Sequence, residues 1–200
     1  MPEQTGHQRV DGGPLADRIA ILLERLGRLI VQDAHADGLN PVQWETLRYL
    51  ARANRFSRTP SALTAYLGST RGTVSQTVIA LERKGCVRKV RSKEDKRSVR
   101  LDLTEEGQEK IGTDPLSALA EIIEAGSSPE GLQHLAHGLG KILEERLRRR
   151  GGRPFGLCAS CRHFERQSPD GDPHRCSLLG VPLTGEDATK ICAEQEPVDP

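Results

Sequence analysis

Four cysteines crowd the end of this chain. Cys158, Cys161, Cys176 and Cys192 are spaced C-x2-C-x14-C-x15-C, and a fifth, Cys86, stands far upstream. Four thiolates are the complete ligand set of a structural zinc ion or of an iron–sulfur cluster. Two disulfides are the other use for four thiols. The N-terminus, MPEQTGHQRVDGG, is polar and has no apolar signal core. No apolar run approaches the roughly 20 residues of a membrane helix. A cytoplasmic location is therefore expected, with no membrane partner, and reducing conditions there keep thiols free. His163 and His174 lie close in sequence as substitute ligands, although four cysteines already complete the set. Cys86 follows a glycine at a helix end, where a small buried residue fits.

A second group of residues could read a polyanion. The segment STRGTVSQTVIALERKG sets Arg71, Thr73, Ser75 and Gln76 in the first two turns of one helix. All are hydrogen-bonding side chains, short or forked, of the kind that contact bases and phosphates. Val74, Val78, Ile79 and Leu81 supply the buried side of the same helix, and Gly72 adds no bulk near its start. Downstream, Arg91, Lys93, Lys96 and Arg97 cluster around Asp95. The net charge is only +1, yet residues 55–100 hold 12 Lys or Arg against 3 Asp or Glu. That basic middle, between acidic flanks, is the footprint of a nucleic-acid face, with binding strongly dependent on salt.

These side chains need elements to position them. Apolar residues make up 36% of the chain and aromatics only 3%, so the core must be built from Leu, Ile, Val and Ala. After a flexible 1–13, Leu15, Ile19, Leu22, Leu26, Leu29 and Ile30 describe a helix with one apolar stripe. Asn40-Pro41 with Gln43 is a capping signal for a second helix through Trp44, Leu47 and Leu50. Thr59-Pro60 opens a short helix that Gly68 ends; Ser69 or Thr70 caps the next, which Gly85 stops near Lys84. CVRKVRS (86–92) and SVRLDLT (98–104) alternate apolar and charged residues around KEDKR, the pattern of a β-hairpin. Thr104 caps a helical pattern reaching about Ala125. Ser128-Pro129 opens a last long helix with Leu132, Leu135, Leu139, Ile142, Leu143 and Leu147, ending in a run of arginines before Gly151-Gly152. Residues 153–200 are rich in Gly, Pro and Asp and read as a small module of their own. The expected fold class is mainly α with a small β-hairpin: a winged helix-turn-helix, helices for dimerisation and a small metal-binding module.

SALTAYLGSTRGTVSQTVIALERKGCVRK followed by EDKRSVRLDLTEEG resembles the MarR family of transcriptional regulators. The pattern D-x-R-S-x-x-x-x-L-T-x-x-G, from Asp95 to Gly107, is similar to that family's wing signature. The resemblance covers about residues 14–150. It implies a homodimer, with the first helix and the last two interlocking, on a pseudo-palindromic operator. It also implies that Arg97 reaches the DNA backbone or minor groove while Asp95 steadies a neighbouring Arg. Many members bind small aromatic acids or oxidants in the crevice between dimer helices and DNA-binding lobe. The stripes at 15–30 and 132–147 call for a partner surface on their own account.

The tail offers one C-x-x-C knuckle and two single cysteines, whereas zinc ribbons bring two knuckles. One pair plus two singles resembles the ligand spacing of high-potential iron–sulfur proteins, over about 40 residues. That likeness implies a [4Fe-4S] cluster, with zinc as the alternative. Phe164, Leu178, Leu179, Val181, Pro182 and Leu183 are candidates for the apolar wall around it. The expected function is DNA-binding regulation modulated by a cluster that senses redox state, oxygen, nitric oxide or iron. The alternatives are a regulator with a structural zinc tail that answers an organic ligand, and an electron-transfer subunit. No enzyme is expected: no paired acid and base mark a substrate pocket, and Gly138-Leu139-Gly140 lies inside a helical stripe without the preceding strand of a nucleotide loop.

Overall fold

The computed structural model describes residues 14–91, 99–166 and 174–198. Among the described residues up to 150 there are seven helices and two paired strands: α1 (Leu15–Asp33), α2 (Pro41–Arg52), α3 (Pro60–Leu67), α4 (Arg71–Arg83), β1 (Val87–Arg91), β2 (Val99–Leu103), α5 (Glu105–Gly112), α6 (Leu116–Ala125) and α7 (Pro129–Arg149). The start signals act where expected. The Asn40 side chain accepts from the Gln43 amide while the Gln43 side chain accepts from the Asn40 amide. Thr59, Thr70, Thr104 and Ser128 each accept from the amide three residues on, at the heads of α3, α4, α5 and α7. Each such cap is worth about 1 kcal/mol.

One expected helix is two. The pattern from Thr104 to Ala125 breaks after Gly112, because Pro115 has no amide to donate and clashes with a continuing helix. Asp114 fills the break: its carboxylate accepts from the Leu116 amide at 2.9 Å and from Arg48 Nε of α2 at 2.7 Å.

The core lies under α2, α3, α4 and the hairpin. Trp44, Leu47, Tyr49, Leu50, Leu63, Val74, Val78, Leu81, Val87 and Leu101 are buried together. β1 and β2 pair antiparallel, from Val87 opposite Leu103 to Arg91 opposite Val99. By contrast, α1, α6 and α7 have no buried residue.

The described residues of 153–198 form a 3₁₀ turn (Cys158–Ser160), a small antiparallel sheet in the order β3 (Phe164–Glu165), β4 (His174–Cys176), β5 (Val181–Leu183), and a short α8 (Gly185–Ala188). This segment has its own sheet, but it shares the main core. Phe155 and Ile191 belong to the same buried cluster as α2 and α3. Phe155 sets its ring edge-on to Tyr49 and Tyr66, with centroids 6.0 and 5.3 Å away.

Candidate nucleic-acid face and four-cysteine site

The helix-turn-helix is α3, the turn at Gly68–Thr70, and α4. Gly68 ends α3 with φ +56°, and Thr70 caps α4. The four α4 candidates divide from the core as the helical period requires. Arg71, Thr73, Ser75 and Gln76 are exposed, while Val74, Thr77, Val78 and Leu81 are buried. Thr77 was not among the core candidates; its hydroxyl donates to the Thr73 carbonyl at 3.0 Å, which lets a polar residue be buried. Arg71 and Ser75 border a groove with Ser61 and Thr64 of α3 and Lys89 of β1. Arg91 is exposed at the end of β1. Lys93, Asp95, Lys96 and Arg97 lie outside the described residues.

The foot of the hairpin is held by charge. Asp102 is buried and takes a two-pronged bond from Arg100 (2.9 Å from both Nε and Nη2), with Arg58 Nη1 at 3.8 Å. The Leu101 amide donates to the Arg58 carbonyl at 2.7 Å. The wing is thereby tied to the segment that joins α2 to α3.

In the tail, Cys158, Cys161, Cys176 and Cys192 line one cavity. Phe164, Leu178, Leu179 and Leu183 form its apolar wall, as anticipated, whereas Val181 and Pro182 do not line it. Glu194, which no motif marked, stands at its edge, held by Arg153 at 2.8 Å. His163 also lines it and lies 3.5 Å from the Glu196 carboxylate. The His174 ring instead meets the Phe164 ring at a tilt of 48°, centroids 4.8 Å apart. The Glu196 amide donates to Cys161 Sγ at 3.4 Å.

All five cysteines are free thiols. Burial pushes the Cys158 thiol up to about 12, and the neighbouring Cys192, Cys176 and Cys161 add to that by like charge. Four thiolates sharing this cavity therefore need positive charge among them. Around one tetrahedral zinc the sulfurs would stand about 3.8 Å from one another, given Zn–S of about 2.3 Å. Among the described residues no group of three or more His, Cys, Asp and Glu is placed to hold a single ion. Four sulfur donors beside an apolar wall are a ligand set that a zinc ion or an iron–sulfur cluster could use. Cys86, by contrast, is a buried thiol raised mainly by burial, with Sγ directed at the Lys84 carbonyl.

Comparison with known proteins places the first region. Residues 37–98 match the model of the MarR family. No curated protein matches the chain. Among solved structures, a MarR transcriptional regulator from Methanosarcina mazei is 24% identical with a TM-score of 0.55, covering 66% of this chain and 98% of that one. The S. aureus MepR–DNA complex is 22% identical with a TM-score of 0.53, covering 63% and 96%. Streptococcus pneumoniae FabT in complex with DNA is 26% identical with a TM-score of 0.52, covering 64% and 95%. Each neighbour is spanned almost end to end, and about a third of this chain is left over. The chain has the winged-helix fold of the MarR proteins.

Proposed function

We propose that this protein is a transcriptional regulator of the MarR type, binding a pseudo-palindromic operator as a homodimer, and that its four C-terminal cysteines hold a [4Fe-4S] cluster that modulates DNA binding. One observation carries the DNA-binding role. The exposed face of α4 presents Arg71, Thr73, Ser75 and Gln76 beside a basic hairpin, in a segment that matches the MarR family model. MepR and FabT, which share the fold, were solved on DNA. The second helix of such a motif lies in the major groove, where base edges carry a distinguishing pattern.

The test is a binding titration on the protein's own promoter across a salt series. Affinity should fall steeply with salt. Arg91→Ala should lower the slope by about one unit with little change in sequence preference. Arg71→Ala or Gln76→Ala should cost about 1–3 kcal/mol on the operator and far less on unrelated DNA. Binding that ignores both salt and sequence would overturn the reading.

Four thiolates around one apolar cavity support the cluster. When bound, it supplies a centre whose charge and integrity respond to redox state, oxygen, nitric oxide or iron. Cys158, Cys161, Cys176 and Cys192 would each hold one corner. Protein purified without oxygen should be coloured and carry about four iron and four sulfide per chain. A colourless protein with one zinc would establish the alternative, a structural zinc tail with sensing elsewhere. That second reading has one feature of its own: a largely apolar cavity between α1, α2 and α6, lined by Leu26, Leu29, Leu119 and Ile122, with Asp33 and the Asp114-paired Arg48 in its wall, open to a small organic molecule.

A further inference from the structure

The last carbonyls of a helix have no partner within it. At the C-terminus of α2 two of those carbonyls, Ala51 and Arg52, find partners foreign to the winged-helix region. Lys190 Nζ donates to the Ala51 carbonyl at 2.6 Å. The Ile191 amide donates to the Arg52 carbonyl at 2.9 Å, and the Asn54 amide donates back to the Ile191 carbonyl at 2.9 Å. These two bonds make a parallel bridge between Ala53 and Ile191. Arg58 Nε takes the Ala53 carbonyl at 3.0 Å. Lys190 and Arg58 thus bring two cations to the negative end of the helix dipole. The Ala193 amide donates to Ser57 Oγ at 2.8 Å. On the outside, Arg55 bonds the Pro182 carbonyl at 2.6 Å and the Asp187 carboxylate at 3.1 Å.

Cys192 is in the middle of this contact. Lys190, Ile191 and Ala193 all bond the α2–α3 corner, while Cys192 between them turns to the four-cysteine cavity. The corner in turn leads directly to the DNA-facing parts. Thr59, which caps α3, donates its amide to the Ser57 carbonyl at 2.8 Å. Arg58 offers its carbonyl to Leu101 and its guanidinium to Asp102, at the foot of the wing. From Cys192 to the hairpin, every step is a hydrogen bond or one residue of backbone. The other route out of the tail borders α7 along a groove lined by His137, Lys141, Leu147, Gly156, Gln195 and Pro197. Gly151, with φ +65°, and Gly152 join it to α7, and among the described residues no hydrogen bond ties 155–198 to α7.

We infer that the four-cysteine tail is a C-terminal cap for α2 whose occupancy governs DNA binding through the α2–α3 corner and wing of the same protomer, rather than through the dimer helices. This rests on the reading of the four cysteines as a metal or cluster site. A bound group fixes Cys192 from the cavity side, so residues 190–193 are held at both ends and the corner is held with them. Removal of the group leaves the cap attached on one side only. The α2 carbonyls then open to water more often, and the start of α3 and the foot of the wing are released together.

The experiment is backbone hydrogen exchange on the full chain, metal-loaded and chelator-stripped, with metal content measured on the same samples. Stripping should speed exchange about ten-fold or more at Asn54, Thr59 and Leu101, whose amides report the corner and the wing, and leave α7 unchanged. Faster exchange confined to residues 156–197, or concentrated in α7, would overturn the inference while leaving the metal site intact. A uniform rise over every helix would also overturn it, since the tail would then stabilise the whole fold and not this corner. A chain that binds no metal removes the underlying reading, and the metal measurement identifies that case. A second arm cuts the contact from the winged-helix side. The double variant Arg55→Ala/Ser57→Ala should keep its metal. The loaded-to-stripped difference in operator affinity, expected to be about ten-fold or more in the parent, should fall below about three-fold. An undiminished difference, or none in the parent, would overturn the inference.

Discussion

Gly107 closes the D-x-R-S-x-x-x-x-L-T-x-x-G pattern, and its reason is steric. A Cβ at this position would stand 2.1 Å from the Cys86 carbonyl oxygen and 3.0 Å from its carbon. The same oxygen accepts from the Thr104 amide at 3.1 Å, so the first turn of α5 rests directly on the start of β1. The two nearest atoms are Cys86 backbone, which cannot swing aside as a side chain would. Gly107→Ala should therefore destabilise the protein by about 2 kcal/mol or more, read as a lower urea midpoint. Gly72, on the exposed start of α4, meets only Thr70 Oγ1 at 3.8 Å. Gly72→Ala should be neutral or should raise stability by up to about 1 kcal/mol. The pattern was legible in the sequence as a pattern, but not the carbonyl that requires its last residue. Capping residues are different, because a Thr or Asn accepts from an amide three residues away and the whole interaction is local. That is why Asn40, Thr59, Thr104 and Ser128 could be read directly.

At the scale of elements, period is what a sequence displays, and elements without period stay hidden. The α4 face and the hairpin follow from repeats of 3.6 and 2, so Arg71, Thr73, Ser75 and Gln76 could be placed outward before any fold was known. The long pattern after Thr104 misled for the same reason: its apolar spacing runs through a break that Pro115 enforces. In the tail, Phe155 and Ile191 are single apolar residues in irregular chain, and nothing periodic marks them as core. Phe155 is nevertheless only 6% exposed, and it holds φ +54°, a left-handed backbone that a bulky residue adopts only when packing imposes it. The Tyr49, Tyr66 and Phe155 rings supply that packing. Phe155→Ala should cost about 3 kcal/mol in urea unfolding, although it lies far beyond residues 37–98 that match the family model. Val198→Ala, 65% exposed, should stay within about 0.5 kcal/mol. Equal effects of the two substitutions would mean that the tail does not share the core. The four cysteines were legible by count and spacing; their attachment to α2 was not, since it runs through backbone amides and through the isolated side chains of Lys190, Ser57 and Arg55, which no spacing marks.

At the scale of the whole molecule, the described residues of α1, α6 and α7 carry exposed apolar side chains. Leu15 is 67% exposed and Ile122 68%, and Leu22, Leu26, Leu29, Leu139, Ile142 and Leu143 are open on the same three helices. A lone soluble chain rarely carries so long an uncovered stripe. The stripes on α1 and α7 were visible in the sequence as faces in need of a partner, and one chain folded alone leaves them bare. In the proposed homodimer a second copy would cover them with matching surface, and two-fold symmetry would present two copies of α4 at a fixed spacing. The double variant Leu22→Glu/Ile142→Glu places charge on both stripes while avoiding α2, α3, α4, the hairpin and the tail. Sedimentation should show a dimer for the parent at micromolar concentration and a monomer for the variant, with the far-UV spectrum retaining its helical shape. Operator affinity should fall about 100-fold or more, because each lobe then binds its half-site without the effective concentration that linkage supplies. Metal content should not change, since the four cysteines and the α2 cap lie within one protomer. A variant that remains dimeric would exclude these stripes as the interface, and a monomer that still bound the operator at parental affinity would exclude cooperative half-site reading.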